Sequence, residues 1–278
     1  MRKHEIKLQK ILLLAAVVFF LTPSALDTRA QTSQTGKVYE DMSRPEQLTF
    51  VGEQARRIAR EMSGHDYDFT PAFEADIRRA VTQYAQRIGN SGGDRPGKTD
   101  LRVVLETGQA QAPRLIAAFR ARNVSPLIGL YIPWVESEYV NIQPPNSMGA
   151  IGMFQFLPKT GEHFGLSAQE LLDVDKSADA AARYITDSLG TFRGDPMKEA
   201  LALLSYNRGA QKLTRDLTLL LNDQNKHCSI CALTADRSKL DETFRSENVF
   251  YVPRFFAAAI IGENPQAFGL QMQPLSSH

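Results

Sequence analysis

Apolar residues recur every three or four positions through most of this 278-residue chain, a spacing that leaves little room for anything but packed helices. Leu48, Val51, Ala55, Ile58 and Met62 form one such stripe, and Phe73, Ile77, Ala80, Val81, Tyr84 and Ile88 form a second. Gly89 to Gly97 is a glycine-rich turn, after which a helix is predicted from Asp100 with Leu101, Val104, Leu105, Leu115, Ala118 and Phe119 inward. Further helices are predicted over Pro126 to Ser137, Asp175 to Phe192, Pro196 to Tyr206, Ala210 to Leu221 and Asn248 to Gly262. The alternation of a strand is nearly absent. The expected fold class is therefore all-α. Between Tyr139 and Phe156, Pro144, Pro145, Gly149 and Gly152 are too many breakers for a helix interior, so that segment is a loop.

The N-terminus sets the compartment. Met1 to Lys10 is basic, Ile11 to Leu21 is an unbroken apolar run of eleven residues, and Thr28-Arg29-Ala30 offers small residues at alternate positions. This is the pattern of a signal peptide over residues 1–30, and eleven apolar residues fall short of the roughly 20 needed to cross a bilayer. Export to the periplasm or cell envelope is expected, with no cysteine near the cleavage site to carry a lipid. Arg2, Lys3, Lys7, Lys10 and Arg29 lie in the leader against only Glu5 and Asp27, so the formal charge of +1 turns slightly negative once it is removed. The remaining chain has no basic patch of the kind nucleic acid requires. Residues 31–44, rich in Gln, Thr, Ser and Gly, are expected to be a linker, followed by a helical region over 45–123 and a second, longer part over 124–278. The first helical region can extend a groove, dock a partner or cover the core.

Cys228 and Cys231 are the only cysteines, three positions apart. In an oxidising compartment a local disulfide is the favoured reading. No thioredoxin-like pattern surrounds the pair, and only His227 offers a nearby third ligand for zinc.

One acid is out of place. Glu136 ends the run Tyr131-Ile132-Pro133-Trp134-Val135-Glu136-Ser137, where burial disfavours the charged form and favours a carboxyl that keeps its proton for general acid work. Alone, such a Glu is more often a partly exposed helix-end residue. Cleaving a glycosidic bond needs a proton for the leaving oxygen and something to stabilise the oxocarbenium-like sugar, commonly a second carboxylate. Glu138 stands two positions on, which on a helix points roughly to the opposite side, and Asn141 to Gly152 contains few acids. A mechanism with one protein carboxylate and an N-acetyl group of the substrate fits this better. Gly149 and Gly152 allow close backbone approach, and Gln155 can donate and accept, although most glycine-rich loops are simply turns. Tyr206 and Tyr251 can present rings and hydroxyls to a saccharide or serve as core, and Asn207 before Gly209 can be a helix C-cap. The order of these features carries more weight than any one of them.

That order resembles the soluble-lytic-transglycosylase-like (SLT) domain of murein lytic transglycosylases, within the goose-type lysozyme superfamily. The resemblance rests on Glu136-Ser137, Gly149-Ala150-Ile151-Gly152-Met153-Phe154-Gln155, Ser205-Tyr206-Asn207-Arg208-Gly209 and Glu247-Asn248-Val249-Phe250-Tyr251-Val252, and spans about Ser125 to Leu270. Leu157-Pro158-Lys159-Thr160-Gly161 and Phe164-Gly165-Leu166 also match the family's pattern. The helical leader and the missing LysM-type repeats suggest a relative of the membrane-bound D type without C-terminal binding modules.

The resemblance implies a lysozyme-like catalytic domain with an N-terminal helical extension. It implies peptidoglycan glycan strands as substrate, and neither a metal nor an organic cofactor. Glu136 would protonate the oxygen between N-acetylmuramic acid and N-acetylglucosamine, then draw the proton from the muramyl O6 to leave a 1,6-anhydro end. Gln155, Tyr206, Asn207 and Tyr251 would position the saccharide, with Ser137 beside the acid. Where the family usually has Ser three residues before the loop's first Gly, this chain has Asn146, with Ser147 next to it, and either can take the acetamido contact. Ser205 and Asn248 replace the family's usual Ala and Thr. The rival readings are a hydrolytic goose-type muramidase and a catalytically silent glycan-binding protein.

Overall fold

Helices begin where the sequence supplies a cap. Ser43 and Glu46 close a capping box at the start of α1 (Arg44–Ser63), and Thr70 followed by Pro71 starts α2 (Pro71–Ala85). Asp100 caps α3 (Leu101–Arg120) and also accepts from the Gly89 amide at 3.1 Å, which ties the glycine-rich turn to the helix it leads into. The remaining helices are α4 (Pro126–Ser137), α5 (Pro158–His163), α6 (Val174–Thr191), α7 (Lys198–Arg208), α8 (Ala210–Leu220), α9 (Ser229–Ala235), α10 (Glu242–Ser246) and α11 (Tyr251–Glu263). This computed structural model describes residues 36–93 and 95–278. The expected signal segment 1–30 and the first residues of the expected linker lie outside them. The protein is all-α, and two isolated antiparallel bridges, Ile142 with Gly152 and Ile151 with Phe156, are the extended pairings among the described residues.

Two helices are apolar nearly all round, as core helices must be. On α4 every residue from Leu127 to Trp134 is buried, and on α11 every residue but Arg254 is. α4 lies against α3 and α11, while α2, α1 and α7 close around α11. The approach of α4 to α3 depends on Gly129, where a Cβ would sit 2.4 Å from the Phe119 ring.

The helices before α4 share that core. Phe50, Val51, Ile58, Phe73, Ile77, Leu105, Leu115 and Phe119 belong to one continuous apolar cluster with Trp134, Phe255 and Phe256. Polar ties reinforce the contact: the Tyr67 hydroxyl donates to Glu199 at 2.9 Å and Arg57 donates to Asn264 at 3.0 Å. The N-terminal helices therefore cover the core. Part of the expected linker is itself packed, since Tyr39 is buried and its hydroxyl meets Thr82 at 3.0 Å. Cys228 and Cys231 are joined as a disulfide at the head of α9, and Cys231 Sγ accepts from the Thr70 amide at the start of α2.

Candidate active site

Glu136 is the penultimate residue of α4 and, with Val135, is only partly buried in a helix whose other residues from Leu127 to Ser137 are buried. The Tyr251 hydroxyl donates to Glu136 Oε1 at 2.7 Å. Burial pushes the Glu136 carboxyl up to about 7, against the opposing pull of that hydrogen bond and of the Arg254 charge. Burial also lifts the Tyr251 phenol well above its ordinary range, so it keeps its proton and stays a donor. Glu136 can hold a proton near neutrality and its residue is not fully closed off from solvent, two properties a general acid needs.

Among the described residues no second carboxylate is found acting on Glu136. Glu138 ends the helix with a left-handed φ of 52°, 7% exposed, and is gripped by Arg87 at 2.6 and 2.9 Å. Glu263, the other buried acid near this helix, accepts from Tyr131 at 2.5 Å and from Ser276. Both acids are occupied in holding elements together.

The loop after α4 is folded back by its own backbone and pinned at two successive carbonyls. Gly152 takes a left-handed φ of 77° and passes the Leu171 carbonyl so closely that a Cβ would lie 2.4 Å from the oxygen, so only glycine fits. Ser137, expected as a saccharide contact, is instead fully buried, and its hydroxyl donates to the Met153 carbonyl at 2.7 Å. It cannot touch a ligand, because it has no exposed surface and its hydroxyl is taken by the loop. Tyr206 of α7 donates to the next carbonyl, Phe154, at 2.9 Å, with its ring edge-on to Phe156 and Tyr184. These two hydroxyls fix the loop to α4 and α7 at adjacent carbonyls.

Gln155 follows with a left-handed φ of 50° and stays partly exposed. Its amide donates to the Gly152 carbonyl at 2.7 Å and accepts from Asn146 Nδ2 at 3.0 Å. The Asn146 side-chain oxygen is taken by the amides of Met148 and Ala150 at 2.8 and 3.0 Å. Asn146 thus shapes the loop and holds Gln155. Ser147 beside it is exposed, and its hydroxyl bonds none of the described residues.

Helix α7 ends at Arg208 and its C-cap is Gly209, with φ 82°, so Asn207 is not the cap. Asn207 is exposed, and its Oδ1 accepts from Asn248 Nδ2 at 2.7 Å. Asn248 in turn accepts from Arg208 at 3.3 Å. Arg208 is buried between Asp216 at 2.9 Å and Asp241 at 2.8 Å, with Phe244 against its guanidinium. Asn207 is therefore oriented by a buried charged cluster. Sequence reasoning did not single out Arg208 or Arg254; the signal for Arg208 was its place inside the Tyr-Asn-x-Gly motif.

Residues 114–226 match the sequence model of the family described as the Transglycosylase SLT domain. The match covers Glu136, the loop to Gln155 and the Tyr206 to Gly209 turn, whereas Tyr251 and Arg254 lie beyond it and join the site through α11. No curated protein matches the chain. An acid raised toward neutrality and a glycine-pinned loop both fall within the span that the match covers, and they lead to one conclusion: residues 114–226 carry a transglycosylase SLT domain, the mark of a peptidoglycan-acting family.

Proposed function

We propose that the protein is an exported lytic transglycosylase that cleaves the β-1,4 bond between N-acetylmuramic acid and N-acetylglucosamine without water. The observation that carries this reading is a single acid, Glu136, pushed up to about 7 and bonded by a phenol, with its nearest sequence rival Glu138 locked to Arg87. An inverting or retaining hydrolase of the usual kind needs two carboxyl groups roughly 5 to 9.5 Å apart. With one carboxylate, the substrate has to supply the nucleophile.

In the first step the Glu136 carboxyl gives its proton to the glycosidic oxygen as the C1–O bond breaks, and the acetamido oxygen of the muramyl residue closes on C1. The Ser147 hydroxyl, exposed beside the loop and uncommitted among the described residues, is the group we assign to the acetamido. In the second step the muramyl O6 attacks C1, the oxazolinium ring opens, and the O6 proton goes to the Glu136 carboxylate. The acid is regenerated and no water is consumed. Tyr251 orients Glu136 throughout, while the exposed Asn207 and the partly exposed Gln155 hold the sugars.

Replacement of Glu136 by Gln tests the reading, since it removes the proton and keeps the shape. Release of soluble fragments from purified peptidoglycan should stop in Glu136→Gln, while thermal unfolding remains a single transition. Continued release would sink the assignment, and a variant that still binds strands that the wild type also leaves uncut would point to a glycan-binding protein.

A further inference from the structure

Arg254 is the one residue of α11 that is not buried. It stands in the first turn of that helix, where the helix dipole repels a cation, and it bonds or pairs with none of the described residues. A charge placed against local preference with no internal partner is the kind of inconsistency that marks a site. Its surroundings say which one. Arg254 lies three positions after Tyr251, hence on the same helix face, and Tyr251 touches Glu136. The Arg254 charge is felt by Glu136 and Tyr251, and also by Tyr84 of α2, whose partly exposed ring stands edge-on to Trp134.

The glycan backbone of N-acetyl sugars is neutral. The charges near the scissile bond are carboxylates, either on the lactyl ether of the muramyl residue or on a peptide joined to it. We propose that Arg254 is a specificity-determining residue that seats a carboxylate of the peptidoglycan strand beside Glu136, an inference that rests on the transglycosylase reading above. A guanidinium is suited to this because its planar fork meets a carboxylate through two hydrogen bonds.

The seat also acts on the acid. Unoccupied, Arg254 favours the ionised form of Glu136. A bound carboxylate cancels part of that field and favours the protonated form, so an anionic strand helps to arm the acid that cleaves it. The titratable and charged groups that act on Glu136 or feel its charge are Tyr251 and Arg254 of α11 and Tyr206 of α7. Of these only Arg254 is exposed and uncommitted among the described residues.

The test measures kcat/KM for the wild type, Arg254→Gln and Arg254→Lys, with Glu136→Gln as control, on peptide-bearing strands, on strands stripped of peptide, and on each with its carboxyls blocked as methylamides. The wild type should favour free over blocked carboxyls by roughly tenfold, the order of one charge-assisted hydrogen bond. Arg254→Gln should bring that ratio to about one, with Arg254→Lys between, and should move the alkaline limb of the pH profile upward. A larger ratio on peptide-free strands assigns the lactyl carboxylate, and a larger ratio on peptide-bearing strands assigns the peptide; either supports the inference. Equal losses on free and blocked strands would overturn it while leaving the transglycosylase reading intact. Absence of any Glu136-dependent product would overturn that reading, and this inference with it.

Discussion

The Tyr251 hydroxyl bonds Glu136 Oε1 at 2.7 Å, joining the end of α4 to the start of α11 across 115 residues of chain. The bond fixes the rotamer of the acid and pulls its carboxyl down while burial pushes it up. Tyr251→Phe keeps the ring and removes the bond. We expect kcat to fall about 10- to 100-fold, the range of a hydrogen bond to a charged group, and the alkaline limb of the pH profile to rise. An unchanged rate and profile would show that Tyr251 does not orient the acid.

Glu136 should limit activity and stability through the same proton. The first chemical step needs the acid protonated, so activity should fall as pH rises through about 7. For stability, the folded-state value of about 7 lies above the ordinary 4.5, so the folded protein holds more protons than the unfolded chain between those values. Stability is therefore lost as pH rises across that window. Glu136→Gln escapes the penalty and should be more stable than the wild type at pH 8 by roughly 2–3 kcal/mol, measured by urea unfolding, with the difference shrinking toward pH 4.5. A difference that does not vary with pH would contradict the burial argument.

Ser137 and Tyr206 hold adjacent carbonyls of the site loop. Ser137→Ala leaves the Met153 carbonyl without its donor and should cost about 1–3 kcal/mol. Hydrogen exchange should speed up in 149–156 before it does elsewhere, and Tyr206→Phe should loosen the same segment. If the loop exchanges at its wild-type rate in both variants, the two hydroxyls are not its clamps.

Arg208 tests the support of Asn207. Its guanidinium is buried between Asp216 and Asp241, so Arg208→Met leaves at least Asp216 buried and unpaired. Removing one partner of such a cluster costs about 3–5 kcal/mol. The milder Asn248→Ala, which breaks the link to Asn207 and one 3.3 Å bond from Arg208 but leaves both carboxylates paired, should raise KM with a smaller loss of stability than Arg208→Met. Unfolding midpoints and KM together separate the two roles.

Much of this was legible in the sequence, and the remainder fails for identifiable reasons. Pro126 to Ser137 is both the predicted and the observed span of α4, because Pro at the first helical position and an unbroken apolar run mark it without ambiguity. The predicted helix from Asn248 is a 3-10 turn over Asn248–Phe250 before α11 begins, and Pro253 in the first turn is tolerated because its missing amide has no partner to lose there. Helices α9 and α10 are only 7 and 5 residues long, too short to show a period. Glu138 was readable as turned away from the site, but its partner Arg87 lies 51 residues earlier. Ser137 was misjudged for the same reason: what covers it is the Met153 carbonyl, 16 residues on, and adjacency to the acid in sequence says nothing of that. Arg208 and Arg254 gain their meaning from elements that meet only in the folded chain.

The central claim is that one acid works with a nucleophile supplied by the substrate. It is tested most directly by digesting peptidoglycan with the protein from Gln31 onward in water enriched in heavy oxygen, with Glu136→Gln alongside, and weighing the new ends. Anhydromuramyl ends, lighter by one water and carrying no label, are predicted, and they should be absent with the variant. Labelled reducing muramyl ends that depend on Glu136 would contradict the account and make the protein a muramidase.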